Sequence, residues 1–122
     1  MAPKMLARAT LGILSILIVI AASRPAAHHG WSGYESDKPL TLTGVVKTSG
    51  YENPHASAEL EVAGTLWRVV LAPPSRMQAR GVTRDMLKPG TTMTVVGYPH
   101  KTEKSEMRAE RLTIGEKTAE LR

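Results

Sequence analysis

Apolar and polar residues alternate along most of the chain. Residues 40–49 (LTLTGVVKTS) place leucines on one face and threonines on the other, and residues 56–63 (ASAELEVA) alternate small or branched apolar residues with serine and glutamate. Residues 65–72 (TLWRVVLA) continue the alternation after a tight turn at Ala63-Gly64. A two-residue period is typical of strands with one buried face, so this half of the chain predicts three strands, the last two forming a hairpin.

The pattern changes after the third predicted strand. Pro73 and Pro74 end that strand, because proline cannot donate to a strand ladder. Residues 75–80 (SRMQAR) then predict a short helix with a serine cap, closed by Gly81, and residues 83–87 predict one further helical turn.

Alternation resumes over residues 91–99 and 106–114, and residues 117–122 form a short closing segment. The charged residues of 106–114 are expected to lie on a solvated face. Five strands with a short helix between the third and the fourth are typical of the OB fold, a small Greek-key barrel. A β-sandwich would have a similar strand count but has no need of that helix. We therefore predict an all-β, OB-like five-stranded barrel.

The N-terminus predicts an export signal. Two basic residues, Lys4 and Arg8, precede the apolar run LGILSILIVIAA at 11–22, and small residues follow it. This is the layout of a secretory signal peptide, and the run is short of the roughly 20 apolar residues that a spanning helix needs. An uncleaved anchor is the alternative. Both interpretations place the rest of the chain outside the cytoplasm, without a stable membrane span if the signal is removed.

Two cleavage points divide the signal, residues 1–27, from a single domain over residues 28–122. Cleavage after Ser23 best satisfies the rule of small residues before the cut. Cleavage after Ala27 would make His28 the first residue, although Pro25 then occupies a position where a small residue other than proline is preferred.

Composition excludes several classes of protein. From His28 onward the chain has 13 basic and 11 acidic residues. This small positive excess does not indicate a nucleic-acid partner, which usually requires a larger and more clustered one. The chain has no cysteine, which excludes disulfides, thiolate metal sites and cysteine nucleophiles. No Ser-His-Asp set, phosphate-binding glycine loop or paired-carboxylate motif is present, and we expect the protein not to be an enzyme.

The four histidines are the candidate metal ligands. His28 and His29 are adjacent and stand just before the first strand, His55 lies in the loop between the first and second strands, and His100 lies in the loop between the fourth and fifth. These two loops flank one binding face in OB barrels, so all four imidazoles can converge there.

Neutral imidazole binds copper, zinc and nickel, and two to four such ligands form a site. Cleavage after Ala27 would let the amine and imidazole of His28 chelate copper together. The sequence thus predicts a periplasmic transition-metal protein, with copper first and zinc second, that handles or senses the ion. The alternative for these histidines is that they are ordinary exposed loop residues.

Aromatic residues suggest a second function. Tyr51 and Tyr98, each near a loop histidine, together with Trp31 and Trp67, can form a face that stacks a ligand, as OB barrels do. A glycan, a peptide or an envelope protein would then be the partner. The alternative is that Trp31 and Tyr34 only plug one end of the barrel and that Tyr51 and Tyr98 are residues of its rim, in a domain with a purely structural role.

The chain also resembles a known group of proteins. The motifs that carry the resemblance are AHHGW at 27–31, NPH at 53–55, LAPPSR at 71–76, GYPH at 97–100 and EMRAER at 106–111. Together they resemble an uncharacterised family of small exported bacterial proteins whose mature part begins Ala-His-His-Gly-Trp. The resemblance implies periplasmic placement, a link to copper and cleavage just before the paired histidines, and it names no reaction.

Overall fold

A computed structural model describes residues 30–122 of the chain. The signal segment, the two cleavage points and the histidine pair therefore lie outside the described residues. The described elements are β1 (Leu40–Tyr51), β2 (Ala56–Val62), β3 (Thr65–Val70), α1 (Pro74–Ala79), a 3-10 turn (Arg84–Leu87), β4 (Thr92–Pro99), β5 (Glu106–Ile114) and β6 (Lys117–Glu120). None of the helices in this part of the chain has the length and apolar character to cross a membrane.

The strands form one sheet in the order β3-β2-β1-β4-β5-β6, which closes where β3 pairs with β5. The closing pair is parallel over three residues, and every other pair is antiparallel. Five strands thus form a closed barrel, with α1 and the 3-10 turn between β3 and β4. The predicted OB-like barrel is confirmed, with one addition: the closing segment forms a sixth strand, β6, on the outer side of β5.

The barrel interior holds the residues that the alternation assigned to the apolar face. Leu60, Val69, Val95 and Leu112 are fully buried there. The helical segment between β3 and β4 adds the fully buried Met77 and so covers part of the core. The predicted serine cap is not formed: α1 begins at Pro74, after Pro73, with no side-chain cap. Proline suits a first helical position because its missing N–H would have had no partner there.

A bulge in the β4–β5 pair determines which residues of β5 face outward. The register shifts between Val96 and Gly97, so that Gly97 pairs with Ala109 and Tyr98 pairs with Arg108. A Cβ on Gly97 would lie 2.0 Å from the Arg108 carbonyl oxygen, so only glycine allows this approach. Because side chains alternate along a strand, Met107 and Ala109 point into the core and Arg108 points out.

Candidate functional site

A pocket of about 570 Å³ lies on the outer face of the barrel, beside the seam where β3 meets β5. The strands supply outward-facing side chains, and the β1–β2 and β4–β5 loops and the segment before β1 supply the rest. Its lining residues are Gly30, Ser32, Gly33, Tyr34, Pro54, His55, Ala56, Ser57, Arg68, Val70, His100, Glu106 and Arg108.

The segment before β1 is fixed to the β4–β5 loop by backbone pairing. Tyr34 and His100 form an antiparallel bridge, and the Lys101 N–H donates to the Gly33 carbonyl at 2.8 Å. The Glu35 N–H donates to the Pro99 carbonyl, also at 2.8 Å. These bonds hold residues 30–35 along one side of the pocket.

Arg108 is the central cation of the pocket. Its side chain is only 7% exposed, and one terminal nitrogen donates to the Gly30 carbonyl while the other lies 3.4 Å from His55 Nε2. Burial is the main reason that the pKa of Arg108 is lowered, and the nearby Arg76 and Arg122 add to the effect. The expectation that this arginine belongs to a solvated face is wrong, because the segment before β1 covers it.

Trp31 lies against this cation. The guanidinium carbons of Arg108 and Arg122 stand 4.4 and 4.5 Å from its ring centroid, and the Tyr98 ring meets it edge-on at 6.1 Å. Cation–π contacts of this kind stabilise by about 0.5–2 kcal/mol each. They hold the N-terminal segment against β5.

Glu106 supplies the lining carboxylate. It accepts a hydrogen bond of 2.9 Å from the Tyr34 hydroxyl, and its other oxygen lies 3.5 Å from Arg68 Nε. Burial and this hydrogen bond raise the pKa of Tyr34, so the phenol stays protonated as a donor. The His100 Nε2 atom lies 3.8 Å from the same carboxylate. The charge of Glu106 is thus already matched by Arg68.

His55 is neutral at neutral pH. Burial lowers its pKa first, and the positive charges of Arg108 and Arg76 lower it further. A guanidinium can only donate, so Nε2 is the acceptor in the contact with Arg108. The proton of the neutral ring is then on Nδ1.

His100 has the opposite tautomer when neutral. Its Nδ1 accepts the backbone N–H groups of Thr102 at 3.1 Å and Glu103 at 2.8 Å. The remaining proton is therefore on Nε2, on the side of Glu106. The ring organises the β4–β5 loop at the edge of the pocket.

The structure brings His55 and His100 to the same pocket, as the loop positions predicted. His28 and His29 lie outside the described residues, but Gly30, which directly follows them in the chain, lines that pocket too. Across residues 30–122, no three histidine, aspartate or glutamate side chains are grouped closely enough to hold a metal ion.

The predicted aromatic face is dispersed. Tyr51 is a core residue, 7% exposed, whose hydroxyl donates to the Val82 carbonyl, so it cannot stack a ligand. Tyr98 donates to Glu110 at 2.8 Å and packs on Trp31, outside the pocket. Trp67 packs against the core, on the inner face of β3. Of these four aromatic residues, Trp31 lies nearest to the pocket, because its ring covers the lining residue Arg108.

Tyr34, Glu106 and Arg108 were not predicted as site residues. A charged residue in an alternating strand suggests a solvent-facing position. The contacts that build the site are long-range: Tyr34 and Glu106 are 72 residues apart, and Gly30 and Arg108 are 78 residues apart. In the structure a Cβ on Gly30 would lie 2.8 Å from an Arg108 terminal nitrogen, but a glycine in the sequence does not identify a neighbour 78 residues away.

The fold is a small OB-like barrel, and a pocket lined by polar and charged side chains lies on its outer face. The chain belongs to the family of unknown function DUF6152, whose model matches residues 16–108. No protein with a curated description matches the chain.

Among solved structures, the chain is similar to a protein in a crystal structure of a complex of TiaS with an isoleucine tRNA and ATP, with a TM-score of 0.51 and 23% identity. The match covers 66% of this chain and 19% of that one. At this identity the likeness concerns the fold alone.

Proposed function

We propose that this protein is a binding module of the cell envelope and that its ligand occupies the pocket beside the β3–β5 seam. The observation that carries the proposal is the position of the pocket. It lies on the outer face of β2 and β3, between the β1–β2 and β4–β5 loops, where OB barrels bind their ligands. Its volume of about 570 Å³ falls within the usual 300–1,000 Å³ of small-molecule sites.

The pocket chemistry supports a polar ligand. Hydrogen-bonding groups of Ser57, Arg68, Glu106 and Arg108 line it beside the apolar Val70. A polar small molecule, a sugar or the end of a short peptide carries hydrogen-bonding groups that these side chains can pair with. Because basic and acidic residues are nearly balanced after the signal, we propose a ligand of this kind rather than a nucleic acid. We also propose that the pocket binds this ligand without catalysing a reaction on it.

A pocket-filling variant tests this proposal. Ser57→Trp places an indole in the pocket, and Glu59→Trp is the matched control, since it lies two residues further along the same strand and is exposed. Thermal unfolding is measured with succinate, inorganic phosphate or N-acetylglucosamine as probe, because a ligand that binds only the folded state raises the midpoint. We expect at least one probe to stabilise the wild type and Glu59→Trp but not Ser57→Trp. Equal responses in all three proteins would place binding elsewhere.

Export is the proposed route to this location. The basic, apolar and small-residue layout of residues 1–27 supports a cleaved signal and a periplasmic domain. N-terminal sequencing of the exported chain tests it, with residue 24 or 28 expected first. The full-length chain in washed membranes would support the anchor instead.

A transition metal is the second candidate ligand, copper first and zinc second. The specific observation in its favour is convergence: His55 and His100 line one pocket, and Gly30 beside them follows His28 and His29 directly. Each imidazole would have to give up something before its Nε2 atom could bind a metal. His55 would lose its contact with Arg108, and His100 would lose the proton that its neutral ring carries on Nε2.

Calorimetric titration with Cu(II) and Zn(II) tests the metal candidate. His55→Ala and His100→Ala should each weaken binding at least about tenfold without unfolding the metal-free domain, since each removes one of few ligands. Glu103→Gln is the control, an exposed acid of the same loop outside the pocket. Binding should fall as the pH is lowered, because protonated imidazole does not ligate. Equal affinity in all four proteins would contradict a metal role for these histidines.

A further inference from the structure

The strongest unexplained feature of the pocket is the charge of Arg108. Among residues 30–122 this guanidinium forms no ion pair, although it is 7% exposed. Its described polar contacts are neutral acceptors, the Gly30 carbonyl and His55 Nε2. Buried charges are usually paired, since taking an ion out of water costs several kcal/mol.

The neighbouring carboxylate does not compensate this charge. Glu106 points its oxygens toward Tyr34 and Arg68, and the groups that perturb the pKa of Arg108 are the Tyr34 phenol and two further arginines, with no carboxylate among them. The lining residues therefore leave one net positive charge at Arg108.

The Nε atom of Arg108 is also buried and has no hydrogen-bond partner among the described residues. A buried donor without an acceptor costs about 1–3 kcal/mol. The contacts of Arg108 with Gly30, His55 and Trp31 hold its side chain in place, but they leave this donor without an acceptor and the positive charge without a counter-ion.

We propose that the pocket binds a small oxyanion, a carboxylate or phosphate group of its ligand, and that Arg108 is the group that recognises it. This inference rests on the proposed binding function and names the ligand class. A guanidinium presents a planar fork of donors that matches carboxylate and phosphate oxygens. Arg68, 66% exposed at its side chain and on the same wall, adds positive charge at the pocket mouth.

Trp31 provides a direct readout, because its ring lies 4.4 Å from the Arg108 guanidinium carbon. The exported protein is titrated with succinate and separately with inorganic phosphate, and indole fluorescence and heat are recorded. The two arms distinguish a carboxylate ligand from a phosphate ligand. Arg108→Gln should weaken binding of the preferred anion roughly 10- to 100-fold, the equivalent of one charged hydrogen bond.

Arg111→Gln is the matched control, since Arg111 lies on the same strand but is exposed and paired with Glu120. It should change affinity less than about twofold. If Arg108→Gln fails to fold, Arg108→Lys keeps the charge and loses the fork, and it should retain weakened binding.

Saturable anion binding that Arg108→Gln or Arg108→Lys leaves unchanged, or no binding of either anion, would overturn the proposal. The binding function is judged separately by the uncharged probe. If N-acetylglucosamine stabilises the wild type and Ser57→Trp abolishes the effect, the module stands and only the anion class is wrong. If no probe depends on the pocket, the proposed function fails as well.

Discussion

The Tyr51 hydroxyl gives the sharpest test of how the core is arranged. Tyr51 ends β1 inside the core, and its hydroxyl donates to the carbonyl of the fully buried Val82, beyond α1. Tyr51→Phe keeps the ring, including its contact with Arg84 at 5.4 Å, and removes only this hydrogen bond. The Val82 carbonyl then lacks this donor in the core, which should cost about 1–3 kcal/mol.

Urea unfolding followed by circular dichroism measures this loss. For a domain of this size each kcal/mol also lowers the thermal midpoint by roughly 4–8 °C. Tyr98→Phe is the matched control, because its hydroxyl bonds to Glu110 near the surface, and a surface change of this kind costs about 0.5 kcal/mol or less.

Ligand binding supplies the second readout. Since Tyr51 lies outside the pocket, Tyr51→Phe should leave the affinity for any pocket ligand unchanged at temperatures where the variant is folded. A stability loss equal to that of Tyr98→Phe would refute the buried hydrogen bond. A large loss of affinity would restore Tyr51 to the binding face.

Three further predictions concern the barrel and the pocket. Gly97→Ala should lower the free energy of unfolding by about 1–3 kcal/mol or more, because the new Cβ would clash with the Arg108 carbonyl. Gly50→Ala is the control and should cost less in the same urea experiment, because its Cβ would contact only a serine hydroxyl at 3.3 Å. Trp67→Ala should cost roughly 2–4 kcal/mol, somewhat less than the roughly 3–5 kcal/mol lost when a fully buried aromatic residue is truncated, because this ring is only partly buried. A loss below about 1 kcal/mol would place the ring in solvent. Because the pKa of His55 is lowered in the folded state, the unfolded chain binds a proton at this ring first as the pH falls. The free energy of unfolding should therefore decline below about pH 6.5, the ordinary histidine pKa. His55→Gln should remove part of that decline, which urea midpoints measured at several pH values would show.

The strands of this barrel could be predicted because their alternation is local. The buried Ala58 and Leu60 stand on either side of the exposed Glu59, and Ala63-Gly64 marks the hairpin within two positions. The loop positions of His55 and His100 followed from the strand order alone. Their meeting at one pocket needed no side-chain detail.

The centre of the site could not be predicted because its contacts are long-range. Arg108 is buried by a segment 78 residues away in sequence, and the bulge at Gly97 fixes the register in which it pairs with β4. Tyr51 stands beside a loop signal in the sequence, yet its acceptor is 31 residues further on. Neither contact has a local signature.

Amide chemical-shift mapping tests directly whether the pocket beside the β3–β5 seam binds a ligand. Succinate, phosphate and Zn(II) are added in turn to the isotope-labelled protein, and the shifted backbone amides are located. We expect at least one probe to shift amides around the pocket, at Ser32, Gly33, His55 and Ser57, and to leave Thr43 in β1 and Thr118 in β6, both outside the pocket, unchanged. Shifts confined to those distant strands, or no saturable shift with any probe, would contradict a binding site in this pocket.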